Sequence, residues 1–203
     1  MVEVFEPLTT TLEHADQLSR GIEEKYRNQK KGLPRLVTIP RSGFVIAHLM
    51  ARQWDQQGLE MLNASVKKVA PPTGTEFRGP AFERGQFPVR DEIEGANLLV
   101  VDAVCRTGTT LKYVVDALRA RGAQSVKSAV LYYKPTAENV HRPNFYHPTS
   151  VYRQVQQSYT VFEWERNEHL RGKGRPYDES FDRDMVARIA GVSVGSAVEA
   201  PLA

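Results

Sequence analysis

A chain of 203 residues with 41% hydrophobic and 25% charged residues is long enough for one well-cored α/β domain with a small appendage. Its net charge of +3 suits an anionic small molecule as well as nucleic acid and selects neither, and its single cysteine excludes a disulfide framework or a thiolate metal cluster. No apolar stretch reaches the length of a membrane span, and Met1-Val-Glu-Val-Phe-Glu6 does not read as a secretory leader, so a cytoplasmic protein without a membrane partner is expected.

Thr10 and Glu13 have capping-box spacing, and Leu12, Ala15, Leu18, Ile22 and Tyr26 carry a helical period from there to Gly32 and Pro34. Residues 35–39 read as a short buried strand, residues 40–43 as a turn, and residues 44–56 as a helix. Residues 61–68 read as a weaker second strand. Pro71, Pro72, Gly74, Gly79, Pro80, Gly85 and Pro88 then make residues 70–90 a long loop, and loops of that length inside a compact domain are usually functional or mobile. Residues 98–102 read as a third strand, residues 109–121 as a helix with Leu111, Val114, Val115 and Leu118 on one face, and residues 126–133 as a fourth strand. Strands alternating with helices predict an α/β fold with a parallel twisted sheet flanked by helices and ligands at the carboxyl ends of the strands. Residues 134–170 are rich in aromatics, Pro and His without a helical period, with one or two strands over 151–162. They are expected to form a small hood within a single domain. Residues 181–190 read as a terminal helix and 191–203 as a frayed tail.

The densest chemistry lies between Asn97 and Leu111. An apolar strand ends at Asp102, a loop follows with Thr107, Gly108, Thr109 and Thr110, and a helix begins. At such a junction free backbone N–H groups and the positive end of a helix converge on one spot, which suits a phosphate. Gly108 admits close approach, and the hydroxyls add donors without bulk. An ordinary capped helix has a similar outline, but Thr-Gly-Thr-Thr directly after a buried strand and an acid is uncommon.

That stretch resembles the phosphoribosyl-pyrophosphate motif of type I phosphoribosyltransferases. In that motif an apolar strand leads to two adjacent acids, two variable residues, an acid or neutral residue, and Thr-Gly-x-Thr. Residues 39–43 (Ile-Pro-Arg-Ser-Gly) resemble the family's pyrophosphate loop, residues 70–90 its mobile covering loop, and Tyr133-Lys134-Pro135 the lysine after the fourth strand. Residues 159–165 (Tyr-Thr-Val-Phe-Glu-Trp-Glu) resemble the hood of the xanthine-guanine and hypoxanthine-guanine branch. The resemblance implies the type I phosphoribosyltransferase fold, with Thr107, Gly108, Thr109 and Thr110 on the 5′-phosphate of phosphoribosyl pyrophosphate (PRPP). It implies Arg41, Ser42 and Gly43 on the pyrophosphate, and Asp102 on the ribose hydroxyls and, through them or a water, on a Mg²⁺ cofactor. Lys134 would face O6 of a purine-like base, Tyr159 would stack on it, and Glu165 would accept from its exocyclic amine. Lys68, Arg78 or Arg84 would reach the pyrophosphate when the loop closes. Homodimers or higher homo-oligomers are common in the family.

Two positions depart from the motif. Ala103 stands where a second acid is usual, and Arg106 where purine enzymes usually carry the acid that handles the N7 proton. Arg cannot serve as a general base at neutral pH, and one matched acid/base contributes about 10²–10⁴ in rate. Arg106 is therefore grouped with Asp102 as a catalytic residue, one that would pair with an anionic or carbonyl-bearing base such as xanthine or would suit a 7-deazaguanine, which has no N7. Three readings follow: a purine-type transferase with altered base preference, a non-catalytic PRPP sensor, and an RNA-binding regulator. The retained Lys134, Tyr159 and Glu165 favour the transferase, and no distinct basic stripe supports nucleic acid. The histidines lack metal-ligand spacing, Trp164 reads as core, and nothing beside Cys105 marks it as a nucleophile.

Overall fold

Leu98, Leu99, Val100 and Val101 are all completely buried, which requires a strand covered on both faces. The computed structural model of the protein describes residues 3–54, 61–67, 81–82, 86–134, 136–147, 159–165 and 172. Its elements are β1 (Glu3–Glu6), α1 (Leu8–Asn28), β2 (Arg35–Thr38), α2 (Ser42–Gln53), β3 (Leu62–Asn63), β4 (Val66–Lys67), β5 (Ala81–Phe82), α3 (Arg90–Ile93), β6 (Asn97–Cys105), α4 (Thr109–Ala120), β7 (Ser125–Tyr133), β8 (Phe145–His147) and β9 (Tyr159–Phe162). A 3₁₀ turn, Glu163–Glu165, follows β9.

Five strands form one parallel sheet in the order β3-β2-β6-β7-β8. Leu111, Val114, Val115 and Leu118 of α4 pack with Val37, Leu98, Val100, Val126 and Val130 in one apolar cluster. The helical stripe and the apolar strands read from the sequence thus meet in a single core. The chain runs from β2 through α2 outward to β3, and from β6 through α4 in the other direction to β7. The order therefore reverses between β2 and β6. At such a switch point the two connections leave on opposite sides and open a crevice at the carboxyl ends of the strands.

The chain divides into two compact units. One spans Thr9–Ser158 and holds the parallel sheet. The other spans Met1–Leu8 and Tyr159–Ala203, where β1 and β9 pair in parallel with Glu3 opposite Tyr159 and Glu6 opposite Phe162.

Several boundaries differ from the sequence reading. The first helix begins at Leu8, before the Thr10–Glu13 capping box, because the Leu8 N–H donates to Glu163 Oε2 at 2.6 Å. A carboxylate brought from far along the chain thus satisfies one orphan donor. The expected strand over 61–68 breaks at Ala64, whose N–H turns to Thr38 O. Only Leu62–Asn63 joins the main sheet, while Val66–Lys67 pairs antiparallel with Ala81–Phe82. The third strand does not stop at Asp102 but continues to Cys105, held by pairing to β7 through Tyr133. Within 134–170, Phe145–His147 adds an edge strand to the main sheet, whereas Tyr159–Glu165 belongs to the other unit. The strand β1 and the edge strand β8 were not anticipated. The terminal helix over 181–190, the tail 191–203 and most of the loop 70–90 lie outside the described residues.

Candidate functional site

Arg41, Ser42 and Gly43 follow β2, and Asp102 lies on β6, the strand beside it at the switch point of the sheet. Ile39 N–H donates to Val101 O at 3.0 Å, extending the β2–β6 pairing to the mouth of the crevice. The chain then turns at Arg41, which has φ +72° and ψ −122°. That conformation favours glycine, and a non-glycine residue held there stores about 1–3 kcal/mol of strain. Such strain persists only where the surroundings impose it, and it is concentrated at functional sites. Phe44 N–H donates back to Arg41 O at 3.0 Å and closes the turn into α2. Gly43 is required by proximity rather than by φ. A Cβ there would lie 2.8 Å from Val101 O and 3.1 Å from Asp102 Cα. The start of α2 therefore rests directly on β6 at Val101 and Asp102, and the same Cβ would be 3.5 Å from Asp102 Oδ1. No acidic side chain lies in the first turn of α2, so the Asp102 carboxylate is the anion brought to that positive end. Asp102 also accepts the Ala103 N–H at 2.7 Å.

The second half of the crevice is the loop after β6. Gly108 caps α4 in the left-handed region at φ +76°, and the first helical bond runs from Lys112 N–H to its carbonyl at 2.8 Å. Lys134 and residues 136–141 lie along one side of this loop as a strap. Lys134 N–H donates to Cys105 O at 2.8 Å, Asn139 Nδ2 to Arg106 O at 2.7 Å, and Val140 N–H to Thr107 O at 2.8 Å. Three successive carbonyls thus face the strap. In a planar trans peptide the carbonyl of one residue and the N–H of the next point in opposite directions. The described residues contain no cis peptide, so the N–H groups of Arg106, Thr107 and Gly108 face away from the strap. Thr109 and Thr110, in the first turn of α4, add N–H groups without helical partners. The result is a run of donors facing away from the strap at a helix start, of the kind that binds phosphate. Thr107 Oγ1 and Thr109 Oγ1 lie 3.1 Å apart beside it.

The strap itself is tied to β7. His141 Nε2 lies 3.0 Å from Ser128 Oγ, and Asn144 N–H donates to Ser128 O at 3.0 Å. Burial pushes the His141 imidazole below its ordinary range, favouring the neutral ring in this bond. Sequence reasoning missed Asn139, Val140 and the backbone of His141. No periodicity marks them, and the only signal was the tight spacing demanded by Gly108.

Each altered motif position has a definite place. Ala103 is buried, only 2% exposed, so an acid there would have to lie within the core rather than in the crevice. Arg106 is exposed, with its carbonyl held by Asn139. Lys134 is 2% exposed, directly beside the cradle through its N–H bond to Cys105 O. Cys105 is buried, and burial pushes its thiol up to about 11, with hydrogen bonding to Asn139 offsetting part of the effect. A thiol held so high is not a nucleophile at neutral pH.

The structure does not bring every expected residue to one unit. Tyr159 and Glu165 lie in the unit with β1 and β9. Tyr159 opens β9, and Glu165 Oε2 accepts the Phe162 N–H at 3.3 Å. Trp164, expected in the core, stacks on buried Phe162 with ring centroids 4.6 Å apart. Lys68, Arg78 and Arg84 lie outside the described residues. Among the described residues no group of three or more His, Cys, Asp or Glu side chains could hold a metal ion, and no helix is long and apolar enough to cross a membrane.

The family model described as "Phosphoribosyl transferase domain" matches residues 8–165. The chain belongs to that family. It is 27% identical over 132 residues to a hypoxanthine-guanine phosphoribosyltransferase of Dictyostelium discoideum, covering 64% of this chain and 71% of that protein. Two solved structures share the fold. A purine phosphoribosyltransferase from Pyrococcus horikoshii Ot3 superposes with a TM-score of 0.56 at 21% identity, over 81% of this chain and 95% of its own. A hypothetical protein from Neisseria gonorrhoeae with bound ppGpp superposes with a TM-score of 0.59 at 22% identity, over 86% and 98%. The relatives place the chain near the purine branch of the type I phosphoribosyltransferases, and the parallel five-stranded sheet is the fold that the resemblance implied.

Proposed function

We propose that the chain transfers the 5-phosphoribosyl group of PRPP to a purine-like base (guanine, xanthine or a 7-deazaguanine) and releases pyrophosphate. The observation that carries this is the donor run over residues 106–110, set at the sheet's switch point beside the strained Arg41 turn. In this reading Thr107, Gly108, Thr109 and Thr110 hold the 5′-phosphate, and Arg41, Ser42 and Gly43 hold the pyrophosphate. The two anchors fix the sugar between them and supply proximity and alignment. Asp102, three residues before the end of the central strand, accepts from the ribose hydroxyls. A base nitrogen then attacks C1, the C1–O bond to pyrophosphate breaks, the pyrophosphate leaves with the bonding electrons, and a base that arrives neutral gives up its N–H proton to the leaving pyrophosphate or to water.

A Mg²⁺ ion commonly takes one or two carboxylates and completes its shell with water and substrate phosphates. The Asp102 carboxylate, brought beside the start of α2, fits that pattern and would hold the ion through a water or the ribose hydroxyls. The ion, when bound, neutralises charge on the leaving pyrophosphate. Lys134 would read a base carbonyl, and its burial would make that hydrogen bond stronger than one in water. Tyr159 would stack on the base and Glu165 would read a 2-amino group. With Arg106 in place of an acid, no carboxylate at that position receives a proton from N7. Bases that reach the site as anions, or that lack N7, suit it best.

The exposed Arg106 and the buried Ala103 favour one second reading, a PRPP-binding regulatory protein of the same fold that turns over slowly or not at all. Pyrophosphate release from PRPP with guanine, xanthine, hypoxanthine, 7-deazaguanines, orotate and uracil separates the two. Release with one or more purine-like bases supports the transferase. PRPP binding without release from any base supports the regulatory protein, and no PRPP binding contradicts both.

A further inference from the structure

We infer that Asn139 is a positioning residue for the phosphate cradle: its amide, bonded to the Arg106 carbonyl, holds the Arg106–Thr107 peptide so that the Thr107 N–H faces the 5′-phosphate. This rests on the proposed function and adds to it the device that sets the cradle. The geometry is specific. Asn139 Nδ2 lies 2.7 Å from Arg106 O, and a carbonyl can only accept, so the orientation of the amide is fixed by its partner. The flanking carbonyls of Cys105 and Thr107 are taken by backbone N–H groups of Lys134 and Val140. The middle carbonyl alone depends on a side chain. It is also the one whose peptide carries the N–H at the centre of the donor run.

The strap cannot drift from its place. The His141 backbone occupies the space a side chain at Gly108 would need, with its oxygen 2.5 Å from the position of a Cβ there. Asn139 is itself set by a turn in which its N–H donates to Thr136 O at 3.1 Å. The strap begins at Lys134, the proposed base-reading residue, and ends on Ser128 of β7. Its described residues therefore meet the loop at both ends, Lys134 at the Cys105 carbonyl and Val140 at the Thr107 carbonyl. Without the Asn139 amide, the Arg106–Thr107 peptide loses its only side-chain restraint among the described residues and can rotate its N–H away from the phosphate. The ligand then has to supply the ordering that the strap supplies in the native chain.

The test uses the full-length protein with Asn139→Ala and the near-isosteric Asn139→Leu, neither of which introduces a charge. Affinities for ribose 5-phosphate, PRPP and inorganic pyrophosphate are measured by calorimetry, and the Thr107 amide proton is followed by NMR as ribose 5-phosphate is added. The expected result is about tenfold weaker binding of ribose 5-phosphate and PRPP in both variants, the size of losing one charge-assisted hydrogen bond. Pyrophosphate affinity is expected to stay unchanged, and the downfield shift of the Thr107 amide is expected to disappear. A space-filling role would spare Asn139→Leu, and a general loss of fold would weaken pyrophosphate equally. Either result, or wild-type affinity for ribose 5-phosphate in both variants, overturns the inference. Failure of the wild type to bind ribose 5-phosphate or PRPP overturns instead the proposed function on which it rests.

Discussion

Gly108→Ala is the substitution whose cost the structure defines most completely. The residue sits at φ +76°, and its Cβ would meet His141 O at 2.5 Å, His141 N at 2.9 Å and His141 Cβ at 3.0 Å. Holding an alanine in the left-handed region costs about 1–2 kcal/mol. The clash adds roughly 1–3 kcal/mol, because the nearest atoms are backbone and cannot move aside by changing rotamer. The reduced freedom of the unfolded chain returns only about 0.4–1 kcal/mol. A net loss near 3 kcal/mol should lower the unfolding midpoint of a chain this size by about 6–12 °C. The same displacement pushes the strap from the carbonyls of residues 105–107, so PRPP affinity should fall at least about tenfold. Thermal unfolding by circular dichroism and calorimetric titration of PRPP check both halves. A midpoint within about 2 °C of wild type with undiminished affinity would refute the reasoning, because it would mean that the strap does not press on Gly108.

Three further outcomes follow from the same geometry. Arg41→Gly should raise stability by about 1 kcal/mol, since glycine accepts the Arg41 backbone conformation, while weakening pyrophosphate binding in a calorimetric titration; lower stability would show that the turn is not strained. A thiol reagent at about pH 8 should find on the order of one part in a thousand of Cys105 as thiolate and react only after unfolding, because the thiol is buried and pushed up to about 11; rapid reaction of the folded protein contradicts the burial. His141 and His147 are both lowered from their ordinary 6.5, chiefly by burial, so the unfolded chain takes up protons before the folded one. Their contribution to stability is full above about pH 6.5 and is lost as the pH falls through the lowered folded values, which makes the unfolding midpoint drop on acidification. The double variant His141→Asn, His147→Asn should show a flatter profile, and an equally steep one would assign the dependence to other groups.

The elements legible in the sequence were those with strong periodicity. The unbroken apolar run of β6 and the four-residue stripe of α4 fix the central strand and its covering helix. The turn at Gly108 followed from glycine next to threonines at a helix start. What was not legible depends on long-range partners. Glu163 moves the start of α1 to Leu8 by supplying a carboxylate from 155 positions away. Ala64 ends β3 because its N–H turns to Thr38 O. The strand β8 carries aromatics without alternation, and only its parallel pairing to β7 makes it a strand. At the site the sequence supplied the donor side of the cradle, Thr107 to Thr110, but not what holds it. Asn139 and Val140 lie in a segment without regular structure, so neither propensity nor spacing points to them. Ala103 could be read as a lost acid, yet its burial in the core emerges only from the packing of β6.

The central claim, that residues 106–110 form a phosphate site, is tested most directly by a calorimetric titration of PRPP with Mg²⁺ into the wild type and into the Thr107→Val, Gly108→Val double variant. The account predicts saturable one-site binding by the wild type and none measurable by the variant. Equal binding by both proteins, or none by the wild type, would contradict it.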